Sequence, residues 1–153
     1  VQNLMPQIYV DADACPVKDE VIRVAERHGL MVHLVSDGGI WPQPSPMIQV
    51  IVVPQGPDAA DDWIAEHISP GDIAITSDIP LADRCLKKGA GAIQPNGRIF
   101  SPDSIGMAVA TRDLMAGLRE IGQITGGPPP FAKTDRSRFL QALETAIQAR
   151  RRA

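Results

Sequence analysis

Cysteine is scarce in this 153-residue chain: Cys15 and Cys85 are the only two. That excludes a disulfide-stapled secreted fold and a zinc knuckle, and both thiols are expected to stay free in a reducing compartment. Aromatic residues make up only 4% of the sequence, so Trp41 and Phe131, each in a loop, are conspicuous. No apolar run approaches the ~18 residues of a membrane helix, and Val1-Gln2-Asn3-Leu4 has neither the charged start nor the apolar core of a signal peptide. A cytoplasmic protein with no membrane partner is expected. The three histidines (His28, His33 and His67) are scattered, and neither Gly38-Gly39 nor Gly126-Gly127 fits a phosphate-binding or dinucleotide glycine loop. Imidazole-bound metals and nucleotide cofactors therefore drop away.

What remains is long enough for one domain, expected to span 1–153, with a respectable core. The net charge of −3 hides an asymmetry. Residues 133–153 hold six of the 15 basic and two of the 18 acidic residues, leaving the rest of the chain with nine against sixteen. A basic end beside an acidic body can bind a polyanion while the acids hold a metal, although a solvated last helix reads the same way.

The chain alternates strand and helix signals. Ile8, Tyr9 and Val10 form a short apolar run that stops at Asp11, and an amphipathic stretch follows from Pro16 to His28, closed by Gly29. Strands are expected at Met31–Val35, Ile48–Val53 and Asp72–Thr76, and helices at Asp58–Ile68 and Leu81–Lys88. Pro95-Asn96-Gly97 between two apolar runs is a hairpin signal, and Ser101-Pro102 opens a long helix to about Ile121. This pattern predicts an α/β fold, a three-layer sandwich with a mainly parallel central sheet, a small hairpin and C-terminal helices. A proline-rich loop at 126–131 and a basic helix at 134–152 complete it.

In an open parallel sheet, ligands bind at the carboxyl ends of the strands. Aspartates dominate those positions here: Asp11 and Asp13 after strand one, Asp37 after strand two, Asp58, Asp61 and Asp62 after strand three, Asp78 and Asp83 after strand four. If strands one, three and four are neighbours, carboxylates from separate parts of the chain share one pocket, and they repel unless a cation sits among them. Oxygen ligands alone suit Mg²⁺ or Mn²⁺. Each acid also has a structural reading. Asp58 with Asp61 reads as a capping box, Asp78 as a cap ahead of Pro80, Asp62 as an exposed helix face, and Asp83 as the i,i+4 partner of Lys87. Asp11 and Asp13, one residue apart, add charge density without evident structural return. Cys15 stands at a helix start that would lower a thiol pKa, but no base accompanies it. Trp41 and Phe131 are placed to stack a base or to anchor their own loops. Lys18, Lys133, Arg136 and Arg138 are candidates for holding phosphate.

The strings D-A-D-A-C-P-V-K (Asp11 to Lys18), T-S-D-I-P-L-A-D-R-C-L (Thr76 to Leu86), P-N-G-R-I-F (Pro95 to Phe100), G-G-P-P-P-F (Gly126 to Phe131) and D-R-S-R-F (Asp135 to Phe139) resemble the YaiI/YqxD family of bacterial proteins, over nearly the whole chain. That family is grouped with PIN-like folds, which resemble metal-dependent nucleases. The resemblance implies Asp11 as the first acid, Asp61 or Asp62 as the second and Asp78 as the third, with Asp13 and Asp83 as further ligands. The second carboxylate in the first turn and the proline-rich extension depart from the PIN pattern.

Three functions follow. The leading one is a Mg²⁺- or Mn²⁺-dependent nuclease acting on RNA or single-stranded nucleic acid, with Asp11, Asp13 and Asp78 catalytic and Asp11, Asp61, Asp62, Asp78 and Asp83 as metal ligands. A second is a haloacid-dehalogenase-type phosphatase with Asp11 as nucleophile, suggested by D-x-D and Thr76-Ser77. The third is a noncatalytic RNA-binding or regulatory protein.

Overall fold

The computed structural model describes residues 5–38, 45–56, 58–122 and 131–151. Six strands form one sheet: β1 (Ile8–Asp11), β2 (Val32–Ser36), β3 (Ile48–Val52), β4 (Ile73–Ile75), β5 (Gly91–Ile93) and β6 (Ile99–Phe100). Their spatial order is β3-β2-β1-β4-β5-β6, with every pair parallel except the antiparallel β5–β6. Five helices cover it: α1 (Lys18–His28), α2 (Ala59–His67), α3 (Ile79–Lys87), α4 (Pro102–Glu120) and α5 (Lys133–Arg151).

Side chains alternate across the sheet as the strand period requires. Ile8, Val10, Ile73 and Ile75 face a core shared with Val21 and Val24 of α1 and with Phe139, Leu143 and Ile147 of α5. Tyr9, Ala74 and Ala92 face the other way, toward Ile64 of α2, Leu81 of α3 and Ile105 of α4. The result is the α/β/α three-layer sandwich expected from the alternating strand and helix signals. One expectation fails: β3 is not beside β1 but at the sheet edge, separated by β2. Strand two pairs with both of its sequence neighbours, so α2 has to cross back over the sheet to reach β4, and it packs against β1 and β2 on the way.

Local signals explain the element ends. Gly29 ends α1 in the left-handed conformation (φ 69°). Asp78 caps α3, accepting from the Leu81 N–H at 2.8 Å, with Pro80 tolerated in the first turn. Ser101 and Ser104 form a reciprocal capping box at the start of α4. Asp58 stands at the N-cap of α2, yet its side chain makes no capping bond, so the capping-box reading of Asp58 and Asp61 does not hold.

The basic C-terminal helix is a layer of the sandwich. Phe139, Leu143 and Ile147 are fully buried, and at roughly 1.5–3 kcal/mol each their burial outweighs any single surface charge on α5. Arg136 donates to the Pro16 carbonyl at 3.1 Å and to Glu20 Oε2 at 2.6 Å, and its guanidinium lies 5.1 Å from the Phe131 ring centre. Glu20 is buried on α1; burial pushes its carboxyl up, but the hydrogen bond and charge of Arg136, aided by Arg23, outweigh that and hold it low. Arg150 donates to the Gly71 carbonyl at 2.9 Å. Gly97, at the hairpin tip (φ 91°), lets α5 approach closely, since a Cβ there would sit 2.6 Å from the Arg138 backbone.

Removing Arg136 leaves the buried Glu20 with only the longer contact to the exposed Arg23 at 3.4 Å, one of its oxygens already lacking a partner. Arg136→Ala is therefore expected to lower unfolding stability by about 1–3 kcal/mol. Arg138→Ala, at a 71% exposed side chain 3.7 Å from Asp135, should cost under about 0.5 kcal/mol. Urea titration of both variants checks the contrast.

Candidate active site

β1 and β4 run in register, Val10 beside Ile75. One residue further, at the carboxyl edge, stand Asp11 and Thr76. The buried Thr76 hydroxyl donates to Asp11 Oδ2 at 3.1 Å and accepts from the Asp78 N–H at 3.0 Å. A single hydroxyl thus ties the first acid to the turn that carries the third.

Asp61, in the first turn of α2, completes the group. Burial raises its pKa to about 7, helped by the negative charges of Asp78, Asp11 and Asp58 and by a hydrogen bond with Asp78 that requires a proton between the two carboxyls. Asp11 is also raised, chiefly by burial and then by Asp78 and Asp13, against the Thr76 hydrogen bond that opposes the shift. Among the described residues no lysine, arginine or histidine forms an ion pair with Asp11, Asp61 or Asp78. Arg84, bonded to the adjacent Asp62, also feels the charge of Asp61, yet burial and mutual repulsion still raise Asp61 and Asp11.

The other predicted acids are engaged elsewhere. Asp13 is exposed and accepts from the Ser36 hydroxyl and, at 3.1 Å, from the Asp37 N–H, so it ties the first turn to the end of β2. Asp62 pairs with Arg84 at 2.8 Å, and Asp83 with Lys87 at 2.9 Å. Among the candidate phosphate groups, Lys18 donates to the Ala12 carbonyl at 3.1 Å, within the acidic turn. Arg136 is committed to Glu20, Lys133 and Arg138 are exposed at the start of α5, and Phe131 is half-buried against the α1–α5 core. Trp41 and most of the 126–131 loop lie outside the described residues. Cys15 is no thiolate: burial pushes it up to about 11, as it does Cys85. Sequence reasoning names Thr76 only for the phosphatase reading and misses its positioning role; the signal is a hydroxyl one place past a buried strand.

This geometry sits in a chain with close relatives. The family model described as "Uncharacterized BCR, YaiI/YqxD family" matches residues 9–149. The chain belongs to the YaiI/YqxD family. A UPF0178 protein of Parvibaculum lavamentivorans is 63% identical over 148 residues, covering 97% of each chain. One from Rhodospirillum rubrum is 60% identical over 95% of this chain and 98% of its own, and one from Caulobacter vibrioides 53% identical over 98% of each. No solved structure matches. In this family member no described helix is long and apolar enough to cross a membrane.

The raised Asp61 pKa fixes a pH dependence. Its folded value lies above the ordinary carboxylate value near 4, so its stabilising share is fully present below about pH 4 and lost as pH rises through about 7. With divalent cations chelated, Asp61→Asn should raise the melting temperature at pH 8 by about 2–4 °C, the repulsion being partly screened by water. The gain at pH 5 should be smaller. Thermal melts at the two pH values check this.

Proposed function

We propose that this protein is a Mg²⁺- or Mn²⁺-dependent phosphodiesterase acting on RNA or single-stranded nucleic acid. The observation that carries this reading is the gathering of Asp11, Asp61 and Asp78 at the carboxyl edge of two neighbouring parallel strands, Asp11 and Asp78 tied by Thr76 and none of the three in an ion pair among the described residues. The PIN-like resemblance stated above implies Asp11, Asp78 and either Asp61 or Asp62.

The donor set fits a hard divalent cation. No three His, Cys, Asp or Glu side chains among the described residues already enclose an ion position. Mg²⁺ keeps most of its water and takes one or two carboxylates directly, so the reading needs only Asp11 and Asp78 as direct ligands. Asp11 and Asp78 would hold it, with Asp61 beside them. When bound, it would supply positive charge against the phosphate and make water acidic at neutral pH.

The chain's own groups do the rest. Thr76 orients the Asp11 carboxylate through its hydroxyl. Asp78 is fixed from both sides, by its own N–H on Thr76 and by the Leu81 N–H on its carboxylate. Asp61, with its pKa raised to about 7, is the group poised to accept or release a proton near neutral pH.

Calorimetric titration with Mn²⁺, followed by incubation with labelled single-stranded RNA, tests this. The native protein should bind the ion and cleave; Asp11→Asn/Asp78→Asn should lose both, cleavage falling by about a hundredfold or more. Unchanged Mn²⁺ binding in the double variant would overturn the assignment. A covalent phosphate on Asp11 would replace it with phosphatase chemistry.

A further inference from the structure

A groove of about 590 Å³ lies between the outer hairpin and α4. That volume is in the roughly 300–1,000 Å³ range of ligand clefts. Its position relates it to the acids. Ile79, the residue after Asp78, lines one end, and Gln94, the residue after β5, stands at the same carboxyl edge of the sheet.

Its charge is distinctive. Arg98, Arg112 and Arg119 line the groove and no carboxylate does, although the chain as a whole is acidic at −3. Arg98 and Arg119 make no ion pair among the described residues, and Arg112 has only its exposed neighbour Asp113, at 3.2 Å. An exposed pair of that kind contributes little and exchanges readily for a phosphate. Arg112 and Arg119 stand seven residues apart on α4, about 10 Å along its axis and on one face. The floor between the arginines is apolar, with Ile99 53% and Met107 73% exposed, a surface that suits base faces better than water.

The length of α4 supports the same conclusion. Its nineteen residues span about 28 Å against about 14 Å for the nine of α3. The start of α4 shares a cleft with the end of α3, and its middle shares the groove with Ile79 at the start of α3. The two helices are therefore antiparallel, and the second half of α4 outruns α3 past the edge where Asp78 stands. That half carries Arg112 and Arg119 and buries none of its residues.

We propose that this groove is the track for single-stranded nucleic acid, with Arg98, Arg112 and Arg119 on successive phosphates and the apolar floor under the bases, leading the strand to the Asp11–Asp61–Asp78 edge. The track deepens the phosphodiesterase reading and rests on it only for where the strand leads. Binding can be measured without hydrolysis.

The experiment is fluorescence anisotropy of a short labelled oligouridylate, with divalent cations chelated, across a salt series. Arg98→Gln/Arg112→Gln/Arg119→Gln should weaken binding about tenfold or more, and should flatten the slope of log affinity against log salt by about 2, since each phosphate contact on a single strand contributes about 0.7. Arg119→Gln alone should give a partial loss. Arg23→Gln, on the opposite layer, should bind as the native protein does, and circular dichroism should show all variants folded. Three results would overturn the track: no binding by the native protein, equal binding by the triple variant, or displacement of the RNA by polyglutamate at equal charge concentration. RNA held through the three arginines but left intact with Mg²⁺ or Mn²⁺ added would support the track while removing the hydrolase reading.

Discussion

The parallel pairing of β1 with β4 is the constraint from which the rest of the site follows. With Val10 beside Ile75, the next residue of each strand must emerge at the same edge, and those residues are Asp11 and Thr76. The strands themselves are nearly all aliphatic and buried on both faces, so a slip of one residue would push Asp11 into the core or withdraw Thr76 from reach. The hydroxyl–carboxylate link is thereby held by core packing. A site built in this way can tolerate internal repulsion, because the aliphatic sheet beneath it resists the displacement that would relieve it.

The other helical layer supports that sheet from below. α5 lies on the face shared with α1, clamped by the Glu20–Arg136 pair at one end and by Arg150 on the Gly71 carbonyl at the other. Two arginines that charge counting assigns to a polyanion are therefore partly committed to the fold. Arg98 and Arg119, which form no ion pair among the described residues, are on the hairpin and α4, where composition gives no hint of a cluster.

Much of this was legible from residue patterns. The alternation of short apolar runs with amphipathic stretches pointed to the α/β sandwich, the caps at Asp78 and Ser101 marked helix starts, and the aspartates after strands marked the carboxyl edge at which Asp11 and Asp78 meet. What was not legible depends on tertiary position. The place of β3 at the sheet edge follows from strand order, which local sequence does not encode. Asp61 and Asp62 are adjacent and equivalent by spacing; only the helix rotation, with Arg84 capturing Asp62, separates them. The helix start after Cys15 would lower a thiol pKa, but burial dominates and drives it the other way. The groove joins residues from Ile79 to Arg119, a grouping that only the packing of α4 against α3 creates.

The central claim is that the Asp11–Asp61–Asp78 edge takes a divalent cation, and paramagnetic broadening of backbone amide NMR signals by trace Mn²⁺ tests it most directly. Selective loss of the Asp11–Asp13, Asp61–Asp62 and Thr76–Ile79 signals, reversed by excess Mg²⁺, is the predicted result. Broadening centred on other acids, such as Asp103 and Asp113 of α4, or uniform broadening with no preferred site, would contradict it.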